Sequence, residues 1–179
     1  MMHRKEPWEW TLLGALALVV AGVLALGGFL VGKETWRFEV GAGIAAPPAQ
    51  VFDWLTRREK RLLWEPDLID IAPLTGTAGE AGSTELLYLR RDGDRWQIEE
   101  RWLRVLPGRR LDVERVGDAL RVRIAITITP APHGGALSWR EVRHYETWPD
   151  RILAPLEVIE RKSRLEAGLA RLARLAGEG

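Results

Sequence analysis

The apolar pattern of this chain predicts an α+β fold, with seven antiparallel strands, two short helices after the first strand and one long C-terminal helix. Three observations carry the prediction. Seven runs of alternating apolar and polar residues are separated by tight-turn signals, the mark of a meander of antiparallel strands and not of βαβ units. Pro47-Pro48 is followed by Val51, Trp54 and Leu55 at i, i+3, i+4, which opens and orients a helix. The last stretch, Asp150 to Leu175, places Val158, Leu165, Leu169, Leu172 and Ala176 on one helical face.

Ahead of this domain lies a charge-free stretch, Thr11 to Val31. At 1.5 Å per residue, ~20 such residues cross the ~30 Å hydrocarbon core of a bilayer. Trp8, Trp10 and Trp36 flank it, where interfacial indoles belong. A cleaved signal peptide is the alternative, with Arg4 and Lys5 as its basic start and Ala25-Leu26-Gly27 as its cleavage site. The apolar run continues past that site, which favours an uncleaved anchor. The expected organisation is therefore a tail and single transmembrane helix over residues 1–32 and a folded domain over residues 33–179. Arg4 and Lys5 oppose Lys33 and Arg37, so the positive-inside count is a near tie. A short basic tail held in the cytoplasm places the domain on the extracytoplasmic side. Ala17, Ala21 and Ala25, and Gly28 with Gly32, form small-xxx-small patterns. These allow a weak homodimer through the span, although such residues are common in any span.

Trp36, Phe38, Val40, Ala42 and Ile44 form the buried phase of the first strand. Gly41-Ala42-Gly43 through Ala46 imitates a dinucleotide-binding fingerprint, but a helix opening with Pro-Pro and a following meander lack the parallel βαβ unit it requires. The second short helix ends at Leu62-Leu63-Trp64, and Pro66 turns the chain out. Ala46-Pro47-Pro48-Ala49, Val51-Phe52-Asp53-Trp54-Leu55-Thr56 and then Trp64-Glu65-Pro66-Asp67-Leu68 together resemble the start of the SRPBCC superfamily. That group includes START lipid-transfer domains, birch-pollen-allergen-like proteins and polyketide cyclases/dehydrases. The resemblance covers Trp36 to Ala176. It implies a helix-grip fold, in which a curved antiparallel sheet wraps the long C-terminal helix around a cavity for an apolar ligand.

The remaining strands are expected over Asp67–Leu74, Ser83–Arg91, Arg95–Leu106, Arg110–Val116, Leu120–Thr129 and Ala136–Trp148. Asp92-Gly93 signals a tight hairpin. In the fourth strand Trp96, Ile98, Glu100 and Trp102 share one phase and Leu103 and Val105 the other, so a bulge or strong bend is expected there. The C-terminal helix is expected to start near Pro155, with Lys162 close to its apolar stripe, either snorkelling to the rim or meeting a cavity carboxylate.

Composition excludes several chemistries. Twenty-six basic and 25 acidic residues leave a net charge of +1, which steers no nucleic acid to the surface. With no cysteine there is no disulfide, thiol nucleophile or thiolate metal site. His3, His133 and His144 have no ligand spacing, and neither a metal nor a cofactor is implied. If the sixth and seventh strands pair about the 130–135 loop, Ile124 lies opposite Glu141 and Val122 opposite Arg143. Glu141, Arg143 and Tyr145 then share the face of the isoleucine row, Ile124, Ile126 and Ile128 of the sixth strand. Two readings stand for these charges: a bent strand that leaves them solvated, or a polar anchor inside an apolar pocket. The ligand-binding candidates are Trp64, Trp102, Ile124, Ile126, Trp139, Glu141, Arg143, Tyr145, Leu165 and Leu169. Three functions compete. The first is a membrane-anchored, non-catalytic binding domain for an apolar small molecule or lipid. The second is a cyclase-like enzyme using Glu141, Arg143 or Tyr145 for proton transfer. The third is an interaction module whose cavity has collapsed.

Overall fold

The structure is a computed structural model that describes residues 14–23, 27–28 and 33–178. Its strands are β1 (Thr35–Ile44), β2 (Leu68–Thr75), β3 (Thr84–Arg91), β4 (Asp94–Leu106), β5 (Arg110–Val116), β6 (Leu120–Ala131) and β7 (Gly134–Tyr145). The helices are α1 (Pro48–Thr56), α2 (Arg58–Trp64) and α3 (Trp148–Gly177). All seven strands form one antiparallel sheet in the order β1-β7-β6-β5-β4-β3-β2. The chain thus folds as a meander from β2 to β7, and β1 closes beside β7. The long helix packs along this sheet and gives the helix-grip arrangement.

Local chemistry accounts for the elements. Pro48 occupies the first turn of α1, where its missing N–H is no loss. Asp92 and Gly93 both have positive φ (50° and 97°), the type I′ geometry that matches the twist of β3 and β4. Gly134 has φ of 140°, and a Cβ there would lie 2.2 Å from the Ile44 carbonyl oxygen, so the β6–β7 turn docks on the end of β1 only with glycine. A Cβ on Gly168 would meet the Pro66 ring at 2.9 Å, and its absence lets α3 approach the turn after α2.

The main core joins Val40, Ile44, Val51, Leu55, Trp64, Trp102, Ile124, Ile126, Ile128, Trp139, Leu165, Leu169 and Leu172. A smaller cluster holds Leu68, Ile71, Leu87 and Leu89. A third, of Tyr145, Ala154 and Val158, holds the front of α3.

Four expectations are corrected. Strand β7 stops at Tyr145 and not at Trp148, because the Thr147 hydroxyl accepts from the Asp150 N–H and caps α3, with Trp148 and Pro149 in its first turn. Pro155 lies well inside α3 and not at its start. Of the two readings of Lys162, the one that has it meet a cavity carboxylate is corrected: it is exposed, 3.8 Å from Glu166, and Arg161 is the cation of α3 that enters the interior. The solvated reading of the strand charges is overturned, since Glu100 and Glu141 are 1% and 0% exposed. The bulge in β4 is present, between Trp102 and Arg104; it turns Leu103 outward and leaves Trp102 inside.

The expected span, Thr11 to Val31, and its signal-peptide alternative lie partly outside the described residues. Residues 14–23 within it are helical and exposed. Among the described residues no helix is long and apolar enough to cross a membrane.

Leu169 is 1% exposed and Leu156, on the same helix, 70%. Leu169→Ala should lower the unfolding free energy by about 2–5 kcal/mol through lost burial and a residual void. Leu156→Ala should change it by no more than about 0.5 kcal/mol. Urea denaturation of the two variants checks the contrast.

Candidate ligand site

The concave face of the sheet is apolar by strand alternation, yet charges sit in phase with each apolar row: Glu85 with Leu87, Glu100 with Trp102, Arg115 with Val113, and Glu141 and Arg143 with Trp139. Burying an ion costs several kcal/mol, offset only where partners hold it closely. The structure supplies those partners in two linked groups.

The inner group lies behind α2. Arg61 donates to Glu65 (3.0 and 3.1 Å) and Glu85 (3.1 Å) and is ion-paired with Glu100 at 2.9 Å. Arg115 donates to Glu100 at 2.6 Å and to Glu65. Burial disfavours ionisation of Glu65, but Arg115 and Arg61 outweigh it and hold its pKa at about 2. Two guanidiniums face three carboxylates here, and Glu85 takes up the mismatch. Burial pushes its carboxyl above the usual range, and the charge of Glu100 adds to this against the pull of Arg61.

The outer group ties β7 to α3. Arg161 donates to Glu141 at 2.9 and 3.2 Å, and Arg143 donates to Glu141 at 3.2 Å, to Glu157 at 2.6 Å and to the Tyr145 hydroxyl at 3.0 Å. The Trp139 indole N–H also donates to Glu141, at 3.3 Å. Burial opposes the charge on Glu141, yet Arg161 and Arg143 prevail and its pKa falls below the usual carboxylate range. Burial drives the Tyr145 hydroxyl up to about 12, although Arg143 opposes this.

These groups decide where space is left. Trp64 meets Trp139 edge-on at 6.1 Å, and the deep space lined by both, with Trp102 and Ile126, is about 10 Å³, room for one water at most. The large cavity expected behind the isoleucine row is therefore filled. Ile124, Leu165 and Leu169 are core residues, and Tyr145 packs in the third cluster beside Arg143. A second cavity of about 160 Å³ opens at the edge of α3. Leu89, Trp96, Ile98, Leu120 and Val122 form its apolar wall. Glu141, Arg143, Arg161 and Arg115 form its floor, and Asp67, Arg91 and Glu157 complete its lining. Of the ten sequence candidates, Glu141 and Arg143 line this cavity and Trp64, Trp102, Ile126 and Trp139 line the deep remnant.

Sequence reasoning missed Arg61, Glu65, Glu85, Arg115, Glu157 and Arg161. The phase of Glu85, Arg115 and Arg161 with buried neighbours was the available signal. Among the described residues no group of three or more histidines and carboxylates is placed to hold a metal ion. Chemically, the floor is a fixed electrostatic pole: its carboxylate is ionised and shared by two guanidiniums.

Sheet, gripped helix and lateral cavity define a helix-grip domain of the ligand-binding type. The chain belongs to the polyketide cyclase / dehydrase and lipid transport family, whose model matches residues 35–177. It is similar in fold to a solved protein of Chromobacterium violaceum, with 21% identity, a TM-score of 0.63, and 79% of this chain and 98% of that one covered. Ara h 8.0201 is similar at 16% identity and a TM-score of 0.58, covering 77% of this chain and 98% of that one. The di-domain ARO/CYC StfQ from the steffimycin biosynthetic pathway is similar at 15% identity and a TM-score of 0.64, covering 81% of this chain and 51% of that one. No sequence among the curated proteins matches the chain.

Two outcomes test the charge groups. Glu141→Gln leaves Arg161 without its carboxylate, while Arg143 keeps Glu157, and should destabilise by about 3–5 kcal/mol; replacing Glu141, Arg143 and Arg161 together by Leu or Met should lie closer to wild type in denaturant unfolding. The raised pKa of Glu85 makes the folded state bind a proton that the unfolded state releases above its ordinary value of 4.5. Wild-type stability attributable to Glu85 is then full below 4.5 and lost as pH rises through the folded pKa. The stability of Glu85→Gln relative to wild type should accordingly climb with pH above 4.5 and level off; a flat difference would remove Glu85 from the buried group.

Proposed function

We propose that this protein is a non-catalytic binding domain for a hydrophobic small molecule or lipid, held at a membrane by its N-terminal apolar segment. The observation that carries the reading is the cavity at the edge of α3, with an apolar wall of Leu89, Trp96, Ile98, Leu120 and Val122 over a charged floor. Apolar walls with a few placed polar groups are the usual chemistry of small-molecule sites. At about 160 Å³ it is smaller than the ~300 Å³ at which drug-sized pockets begin. It suits one ring or the end of an acyl chain, with the polar end of an amphiphile at the rim beside Arg91 and Glu157. The family's description as cyclase, dehydrase and lipid transport supports this ligand class. The charge-free length of Thr11 to Val31 supports the anchor and an extracytoplasmic domain behind the basic tail.

The cyclase-like reading needs Glu141 as a general base with a pKa near the working pH. Its two guanidinium partners hold it below the usual range, which makes it a weak base and counts against that reading.

Native mass spectrometry of the intact protein, extracted in detergent, tests the proposal. Wild type should carry an apolar ligand through purification and leave it chemically unchanged on long incubation. Leu120→Trp, which fills the cavity from its wall, should lose that ligand and keep wild-type circular dichroism. Retention in Leu120→Trp, or conversion of the ligand by wild type, would overturn the reading.

A further inference from the structure

Burial leaves one face of α3 unexplained. Trp148, Ile152, Leu156 and Ile159 recur at spacings of four, four and three and so line one side of its first three turns. They are 64%, 41%, 70% and 68% exposed, and Leu153 beside them is 59% exposed. Ala154 and Val158 of the same turns face the sheet. The helix is therefore apolar on two sides, and among the described residues only one has a partner.

The path of the chain points to the second partner. The Glu34 carbonyl accepts from the Tyr145 N–H at 2.9 Å, and its carboxylate pairs with Arg151 at 2.9 Å. The domain is thus entered beside the first turn of α3. The charge-free stretch ends at Val31, three residues before Glu34 in sequence. Three residues reach about 10 Å at most. An anchor ending there holds the front of α3 against the surface of its own membrane.

We infer that the Trp148–Ile159 stripe of α3 lies in the headgroup boundary of that membrane; the inference rests on the anchored reading above. A helix in this position buries its apolar side about 5–10 Å deep and keeps cations for the lipid phosphates. Charge on the rest of α3 fits. Glu157 is paired with Arg143, Glu160 with Arg164 and Glu166 with Lys162. Arg171 and Arg174 are exposed, and no carboxylate among the described residues forms an ion pair with either. A protein partner suits the stripe less well, because a stable interface takes about 20–30 residues a side and this one offers five.

The chain has no cysteine, so single substitutions label cleanly. Ile152→Cys, Leu156→Cys and Ile159→Cys, with Arg123→Cys on the exposed outer face of β6 as reference, would each carry a nitroxide in the full chain. The chain is reconstituted in phosphatidylcholine vesicles containing phosphatidylglycerol. Collision with oxygen, relative to a water-soluble nickel chelate, should be several-fold higher at 152, 156 and 159 than at 123. If the protein resists alkaline carbonate and those labels match position 123, the anchor stands and the inference falls. Release by carbonate overturns both. Spin–spin broadening at 156 that disappears on dilution with unlabelled chain replaces the membrane by a second copy and also overturns it.

Discussion

Glu141 is held from two directions, by Arg161 on the long helix and by Arg143 on its own strand, and the domain's interior follows from that pairing. Through Arg143 the contact continues to Glu157 at the rim. Across the concave face, Arg61 and Arg115 do the same for Glu65 and Glu100 and link the second short helix to β4 and β5. A helix packed on a sheet by hydrocarbon alone can slide or rotate at little cost. One pinned through guanidinium–carboxylate contacts has few alternatives, because a displaced arrangement leaves a buried ion without its partner.

The same pairing explains why the deep cavity is missing. Guanidiniums and indoles take the volume that an apolar ligand would otherwise occupy, and Trp64 and Trp139 close over what remains. Space beside the outer charge group opens instead at the edge of the long helix, where leucine, isoleucine and tryptophan side chains of β3, β4 and β6 are left facing the charged floor. Such a floor presents fixed, mutually paired charges to whatever enters the cavity. Its groups already satisfy one another, so they gain little from a ligand's charge and act chiefly as a boundary that apolar atoms avoid.

Most of the architecture was legible. Strand alternation, the Pro47-Pro48 helix start and the Asp92-Gly93 hairpin are local rules, and the structure obeys them within a residue or two. At the junction after β7 the local signal was present and misread. Thr147 followed by Trp148-Pro149 is a capped helix start, but the aromatic was assigned to the strand and Pro155 to the first turn. The charge network was half legible. Glu100, Glu141 and Arg143 stood out as charges in an apolar phase, and β6–β7 pairing was correctly registered. The reading that solvated them failed because, apart from the Glu141–Arg143 pair within β7, their partners lie on other elements. Arg115 meets Glu65 across 50 residues of sequence, and Arg161 meets Glu141 across 20. Periodicity reports which face a side chain takes and carries no information about what waits there.

Pro155 gives the long helix an uneven strength. Lacking an N–H, it leaves the Arg151 carbonyl without its helical donor, and the ring crowds that same carbonyl. The turns before it are held by Ala154, in the small cluster with Tyr145, and by the ion pair of Arg151 with Glu34. The turns after it are rooted in the main core through Leu165, Leu169 and Leu172. The two stretches are therefore expected to open separately, with amide protons of the front exchanging faster in hydrogen-exchange measurements than those around Leu165 to Leu172. Glu157 and Arg161, which both line the cavity, follow that weak point by two and six residues. An opening that passes Pro155 would thus loosen the cavity residues Glu157 and Arg161 together with the Ala154 and Val158 contacts to the sheet, while Leu165, Leu169 and Leu172 stay rooted in the main core.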